Sequence, residues 1–209
     1  MKQIHTLTEA IALLKYGAVI AHPADTCFGL TGDLMNPDVL KKIQKIKGRD
    51  AKKPMSIFIP NPTRRRSFET SPSPVIQKAL KNYVKLSDFA KEICNKLLPG
   101  PVTIILPKGP RIPDWYFPET QWIGIRMVDD ENVNALLNAF GGPLITTSAN
   151  LTGEATCYTT EEVEKAFKNS DIKPDGILVG EITDPKPPST VIKIDGDRIE
   201  VLREGPVLF

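Results

Sequence analysis

Three cations with phosphate-binding chemistry, Lys47, Arg49 and Lys53, stand close together in the link Lys47-Gly48-Arg49-Asp50-Ala51-Lys52-Lys53-Pro54. Arginine grips phosphate oxygens bidentately and lysine acts on them as a point charge, so the grouping suits a polyanion. As a bare charge run it equally fits a solvated loop. Hydroxyl and amide groups recur where apolar runs end: Thr26 after residues 18–22, and Ser148 and Asn150 after residues 144–147. Open α/β sheets bind ligands at such strand ends. Arg126 closes the apolar run Ile123-Gly124-Ile125-Arg126. A guanidinium there needs a carboxylate, supplied either within the protein or by a ligand. Ser189 and Arg203, near Pro187-Pro188 and Glu204-Gly205-Pro206, carry little meaning alone.

The chemistry that is missing narrows the field. The chain has no GxxxxGK[ST] loop, no GxGxxG and no GxSxG elbow, and its two histidines, His5 and His22, form no metal-binding spacing. The three cysteines are far apart and never paired as CxxC, which argues against a disulfide framework or a zinc site and for a reducing, cytoplasmic setting. No apolar run reaches membrane-spanning length and no signal-peptide core follows Met1, so no membrane partner is expected. Residues 41–66 hold ten Lys/Arg against Asp50 alone, whereas the whole chain carries a net charge of only +2. A basic patch on an otherwise acidic protein points to a local anionic ligand, nucleotide or nucleic acid.

The elements that must position these groups alternate. Thr6-Leu7-Thr8-Glu9 opens a helix, residues 18–22 form a buried strand, and Asn36-Pro37 caps a helix that stops at Gly48. Strands are expected at 55–59, 102–106, 122–127, 144–147, 177–179, 190–194 and 199–202, with helices from Ser87-Asp88, over 132–140, and from Thr159-Thr160. Asp195-Gly196 signals a closing hairpin. Residues 60–86, proline-rich with Arg64-Arg65-Arg66, are expected to be a mobile surface insertion. The pattern predicts an α/β fold, a mixed parallel and antiparallel sheet flanked by helices, in a single domain spanning 1–209.

Taken together and in order, these segments resemble the YrdC/TsaC family of threonylcarbamoyl-AMP synthases. Pro23-Ala24-Asp25-Thr26-Cys27-Phe28-Gly29-Leu30 is similar to the family's P-T-[ED]-T-x-[YF]-G-L, with Ala24 in place of threonine. Lys47-Gly48-Arg49 is its KxR element and Ser148-Ala149-Asn150 its SxN element; Leu98-Pro99-Gly100-Pro101-Val102-Thr103, Ile123-Gly124-Ile125-Arg126, Ser189-Thr190-Val191 and Leu202-Arg203-Glu204-Gly205 match the rest. The resemblance implies a twisted sheet with a deep, basic concave pocket and an enzyme, a nucleotidyltransferase. It would condense L-threonine, bicarbonate and ATP to threonylcarbamoyl-adenylate and pyrophosphate, with Mg2+ accompanying the ATP and no dedicated metal site. Thr26, Arg126, Ser148 and Ser189 would surround the threonine. Lys47, Arg49, Lys53, Trp122, Asn150, Tyr158 and Arg203 would hold the ATP, with Lys47 and Arg49 stabilising charge during the reaction. The product would pass to proteins that complete tRNA threonylcarbamoylation, and a direct tRNA or double-stranded RNA contact is compatible with the basic patch. Tyr158 and the basic 60–86 stretch depart from the family pattern. The alternative is a non-catalytic RNA-binding relative of the YciO type, although residues 41–66 offer only Phe58 as a stacking platform.

Overall fold

A computed structural model describes residues 1–48, 53–62 and 73–209. The alternation expected from the sequence folds into β1 (Lys2–Ile4), α1 (Leu7–Lys15), β2 (Ile20–His22), β3 (Gly29–Asp33), α2 (Pro37–Lys47), β4 (Ser56–Phe58), α3 (Ser73–Leu80), α4 (Asp88–Leu97), β5 (Val102–Pro107), β6 (Trp122–Arg126), α5 (Glu131–Phe140), β7 (Leu144–Ser148), α6 (Thr160–Ala166), β8 (Gly176–Leu178), β9 (Thr190–Asp195) and β10 (Arg198–Arg203). All ten strands join one sheet in the order β1-β8-β2-β3-β7-β4-β6-β5-β9-β10. β1–β8, β8–β2, β4–β6 and β5–β9 run parallel and the other neighbours antiparallel, the mixed sheet that the pattern predicts.

The helices begin where their capping chemistry says they should. Thr6, Asn36, Ser87, Asp130 and Thr159 each accept a backbone N–H of the first turn through a side-chain oxygen, satisfying donors that have no intrahelical partner. α2 stops at Gly48, whose φ of 55° is the left-handed conformation glycine takes without penalty.

Period-two alternation gives the sheet two unlike faces. On one, Ala21, Leu30, Ile57, Ile104, Ile123, Ile125 and Ile145 make a continuous apolar floor with the buried sides of α2, α3 and α4. On the other, Ile20, Phe58 and Leu144 pack with Ala10 and Leu14 of α1 and Val133, Leu136 and Leu137 of α5. The same face continues through Ser56, Gly124, Arg126, Thr146 and Ser148, where these two helices do not cover it. A cavity opens in that uncovered stretch.

Two expectations change. β1 carries a single inward residue, Ile4, too short a pattern to read as a strand; it forms by adding to the edge of β8. Of the expected insertion 60–86, residues 63–72 lie outside the described residues. Residues 73–86 are not a surface excursion: Ile76, Leu80 and Val84 are buried in the main core, and Val84 bridges to Lys108. Their helical spacing was the correct signal, and the neighbouring prolines obscured it. Ile76→Ala is therefore expected to destabilise the protein by about 2–5 kcal/mol, as a large-to-small core change does, measured as a shift in the denaturant midpoint. No helix among the described residues is long and apolar enough to cross a membrane.

Candidate functional site

The uncovered face opens into a cavity of about 640 Å³. Its floor comes from alternate residues of adjacent strands: Thr146 and Ser148 of β7, Ser56 of β4, Trp122, Gly124 and Arg126 of β6, Thr103 and Ile105 of β5, and Val191 and Lys193 of β9. The loop after β2 adds Ala24, Thr26 and Cys27, and Ser189, Leu202 and Arg203 close the far wall. Gly124 matters by what it lacks, since a Cβ there would lie 2.6 Å from Ser56 Oγ and 3.0 Å from Thr103 Cγ2. The floor between Trp122 and Arg126 is consequently backbone.

Four cations line the cavity, Lys53, Arg126, Lys193 and Arg203, and no carboxylate does among the described lining residues. Arg126 is nearly buried and donates to Asp25 Oδ1 at 2.6 Å, with its guanidinium carbon 5.1 Å from the centroid of the Phe58 ring. Asp25 thus supplies one carboxylate to Arg126 from within the protein. Arg126 Nε is buried without a hydrogen-bond partner among the described residues. Burial raises the pKa of Asp25, outweighing the opposing pull of Arg126. Arg203, although largely exposed, lays its guanidinium on Ser189: Nη2 and Nε donate to the Ser189 carbonyl at 2.7 and 3.1 Å, and Nη2 also donates to Ser189 Oγ at 3.2 Å. Partial burial, then the charge of Arg126, pulls the Arg203 pKa down. Two guanidiniums that feel each other across one cavity favour an anion between them.

The cavity is polarised. At its buried end Thr26, Thr103, Arg126 and Ser189 are each at most 9% exposed, and the Thr103 and Ser189 hydroxyls share a hydrogen bond of 2.8 Å. At its open end stand Lys53, the half-buried Trp122 and Lys193, while Arg203, itself exposed, lies against Ser189 at the other end. The first end suits a small polar molecule with a carboxylate, the second an aromatic base or phosphates. The Cys27 thiol, pushed up by burial, stays protonated at neutral pH and supplies no thiolate nucleophile. His22 packs beneath this region with Nδ1 donating to the Pro23 carbonyl at 2.9 Å; burial pushes its pKa down and keeps the imidazole neutral.

Of the residues singled out in the sequence, Thr26, Lys53, Trp122, Arg126, Ser148, Ser189 and Arg203 line this one cavity. Arg49 lies outside the described residues. Lys47 is not among the residues that line the cavity. Only 3% exposed, its ammonium donates to the Ser148 carbonyl and to Asn150 Oδ1, both at 2.7 Å, and to Ser148 Oγ at 3.3 Å. Asn150, also outside the lining, is occupied at both ends: its Oδ1 accepts from Lys47 and from Ser148 Oγ at 2.6 Å, and its Nδ2 donates to the Glu154 carbonyl at 2.6 Å. The two residues tie the last turn of α2 to the end of β7 and fix Ser148. Tyr158 likewise lies off the cavity, its hydroxyl donating to the Lys186 carbonyl at 3.2 Å and its backbone N–H to Glu162 at 2.6 Å.

Sequence reasoning passed over Asp25, Thr103 and Lys193 as site residues. Lys193 had a readable signal: Thr190, Ile192 and Ile194 point into the core, so Val191 and Lys193 must share the opposite face. Thr103 emerges only once β5 is set between β6 and β9.

A family model for the Sua5/YciO/YrdC domain, described as telomere recombination, matches residues 12–205. The chain is 34% identical over 192 residues to a putative threonylcarbamoyl-AMP synthase of Methanocaldococcus jannaschii, covering 91% of this chain and 81% of that protein. It is 31% identical over 200 residues to the threonylcarbamoyl-AMP synthase of Vibrio campbellii, covering 94% and 97%. Among solved structures, P. abyssi Sua5 complexed with L-threonine superposes with a TM-score of 0.78 at 25% identity, over 95% of this chain and 54% of that one, so this chain spans about half the length of that protein. E. coli YciO superposes at 0.80 with 24% identity over 99% and 97%, a likeness of fold.

Proposed function

Because the chain belongs to the Sua5/YciO/YrdC family, we propose that it is a threonylcarbamoyl-AMP synthase, a nucleotidyltransferase that condenses L-threonine, bicarbonate and ATP to threonylcarbamoyl-adenylate and pyrophosphate. The observation that carries this reading is the polarity of the cavity: a hydroxyl-lined end around Arg126, with Arg203 laid on Ser189, and an open end with an aromatic ring and two cations. It accords with the threonine named in the P. abyssi complex.

In this reading the threonine carboxylate is drawn to the guanidinium of Arg126, and Thr26, Ser148 and Ser189 supply hydroxyls around the amino acid. Arg49, Lys53, Arg203 and Trp122 serve the nucleotide. Lys47 and Asn150 act through Ser148, which they hold, and Tyr158 braces the segment at Lys186 instead of meeting the ATP. Mg2+ enters as part of the nucleotide substrate, with phosphate oxygens and water as its ligands, since the lining offers no carboxylate among the described residues.

The threonine amine takes up bicarbonate with loss of water to give a carbamate. A carbamate oxygen then bonds to the α-phosphorus while the bond to the bridging oxygen breaks and pyrophosphate leaves. Negative charge leaves the attacking carbamate oxygen and builds on the bridging oxygen of the departing pyrophosphate without a proton transfer at phosphorus, so positioning and fixed positive charge are the protein's main contributions. A site of guanidiniums, ammoniums and hydroxyls supplies these without a titrating histidine. The product would then go to the proteins that complete tRNA modification in the cytoplasm, and RNA contact through the basic residues of 41–66 belongs to the same proposal.

The deciding measurement is pyrophosphate release from ATP with threonine and bicarbonate each present or withheld. Release is expected only with both. Release indifferent to threonine overturns the reading, and a folded protein that binds RNA without turnover favours the non-catalytic alternative.

A further inference from the structure

Lys193 is the lining cation that neither the capping chemistry nor the proposed assignments use. It projects from β9 onto the cavity face, opposite Ile105 in the register of β5, and its side chain is 25% exposed. Its ammonium sits 4.1 Å from the centroid of the Trp122 ring. Among the described residues the one carboxylate in reach, Asp195 Oδ2, is 3.5 Å away and itself 68% exposed, so that contact is long and well hydrated. Glu200, its cross-strand neighbour, forms no ion pair with it among the described residues.

The two guanidiniums of the lining differ. Arg126 is held by Asp25 at 2.6 Å and Arg203 by the Ser189 carbonyl at 2.7 Å, so both guanidiniums are fixed in place. Lys193 is held by a ring face and a distant carboxylate, two weak contacts for a compact, strongly hydrated charge on a flexible stem. A phosphate oxygen competes well against both. It also stands at the open end beside Trp122, where a nucleotide extends if its reacting phosphate points toward the buried end.

We propose that Lys193 is a polyphosphate-binding residue whose ammonium rests on the Trp122 ring in the ligand-free protein and transfers to the β- and γ-phosphates of the bound nucleotide. This rests on the reading that the cavity binds ATP. Lys193 thereby sets the preference of the site for a nucleoside triphosphate over a monophosphate, and its departure uncovers the ring face of Trp122.

Calorimetric titration with MgATP and with AMP tests this, using the wild type, Lys193→Met and Lys193→Arg. Methionine keeps an apolar stem over Trp122, and the position is exposed enough that folding, checked by melting temperature, is expected to survive. Lys193→Met is expected to weaken MgATP at least tenfold and AMP less than twofold, and Lys193→Arg to restore most of the loss. Wild-type tryptophan emission is expected to change more on adding MgATP than on adding AMP, and Lys193→Met to remove the difference. MgATP affinity unchanged in a folded Lys193→Met, or an equal loss for AMP, overturns the proposal while leaving the ATP-binding reading intact. A wild type that binds neither nucleotide overturns that reading, and the role of Lys193 falls with it.

Discussion

Lys47→Met is expected to lower threonine-dependent turnover at least about a hundredfold, the scale that small misplacements of positioning groups reach. The kinetic pattern matters more than its size. A lysine that touched phosphate would, on removal, cost nucleotide affinity. Lys47 instead holds the Ser148 carbonyl, Ser148 Oγ and Asn150 Oδ1, and Ser148 is assigned to the amino acid. The KM for threonine should therefore rise and kcat fall, with the dissociation constant for MgATP nearly unchanged. Stability should drop too, because a buried acceptor left without its donor costs about 1–3 kcal/mol. Steady-state kinetics, nucleotide titration and a denaturant midpoint give the three readings. A folded variant that loses MgATP affinity and keeps its threonine KM would return Lys47 to the phosphates.

Arg126→Met should have the larger effect on both activity and stability. Turnover is expected to fall about 10²–10³-fold, as when one preorganised charge partner is removed from a reacting centre. Asp25, nearly buried and no longer paired, should cost the fold about 3–5 kcal/mol at neutral pH. The pH dependence identifies the cause. Burial already raises the folded pKa of Asp25 above its unfolded value. A group of that kind contributes stability that is complete below the unfolded carboxylate pKa, about 4, and is lost as pH rises through the folded pKa. Removing Arg126 moves that folded pKa further up. The difference in melting temperature between variant and wild type should then be widest near neutral pH and close toward about pH 4. A difference that ignores pH would mean that packing against Phe58, and not the charge of Asp25, is what Arg126 supports.

Much of the scaffold was legible because its determinants are local. Caps at Thr6, Asn36, Ser87 and Thr159, the glycine stop at residue 48 and the apolar runs of β2, β4 to β7 and β9 are all written within a few residues of one another. Sheet order is not local. Nothing in residues 2–4 announces an edge strand, since the partner that stabilises it is β8, far along the chain. The candidate site divides in the same way. Groups at strand ends could be named from sequence, but what each group faces depends on what crosses it. Arg126 left its partner open between protein and ligand until Asp25 was seen beside it. Lys47 shares a helix end with cations that face solvent, and the arrival of β7 above it turns it inward. Lys193 shows the converse: its direction was encoded by alternation, and its importance only by the ring it meets.

The far wall of the cavity belongs to the β9–β10 hairpin, at the edge of the sheet and late in the chain. Ser189, Lys193 and Arg203 reach the ligand from there, whereas Thr26 comes from the loop after β2. The two sides of the cavity are thus built from segments far apart in the chain, and only the central strands belong to both. Without that hairpin the cavity is an open shelf of hydroxyls and one paired arginine. In the proposed reading the nucleotide end is therefore the part of the cavity most sensitive to how the hairpin docks on β5.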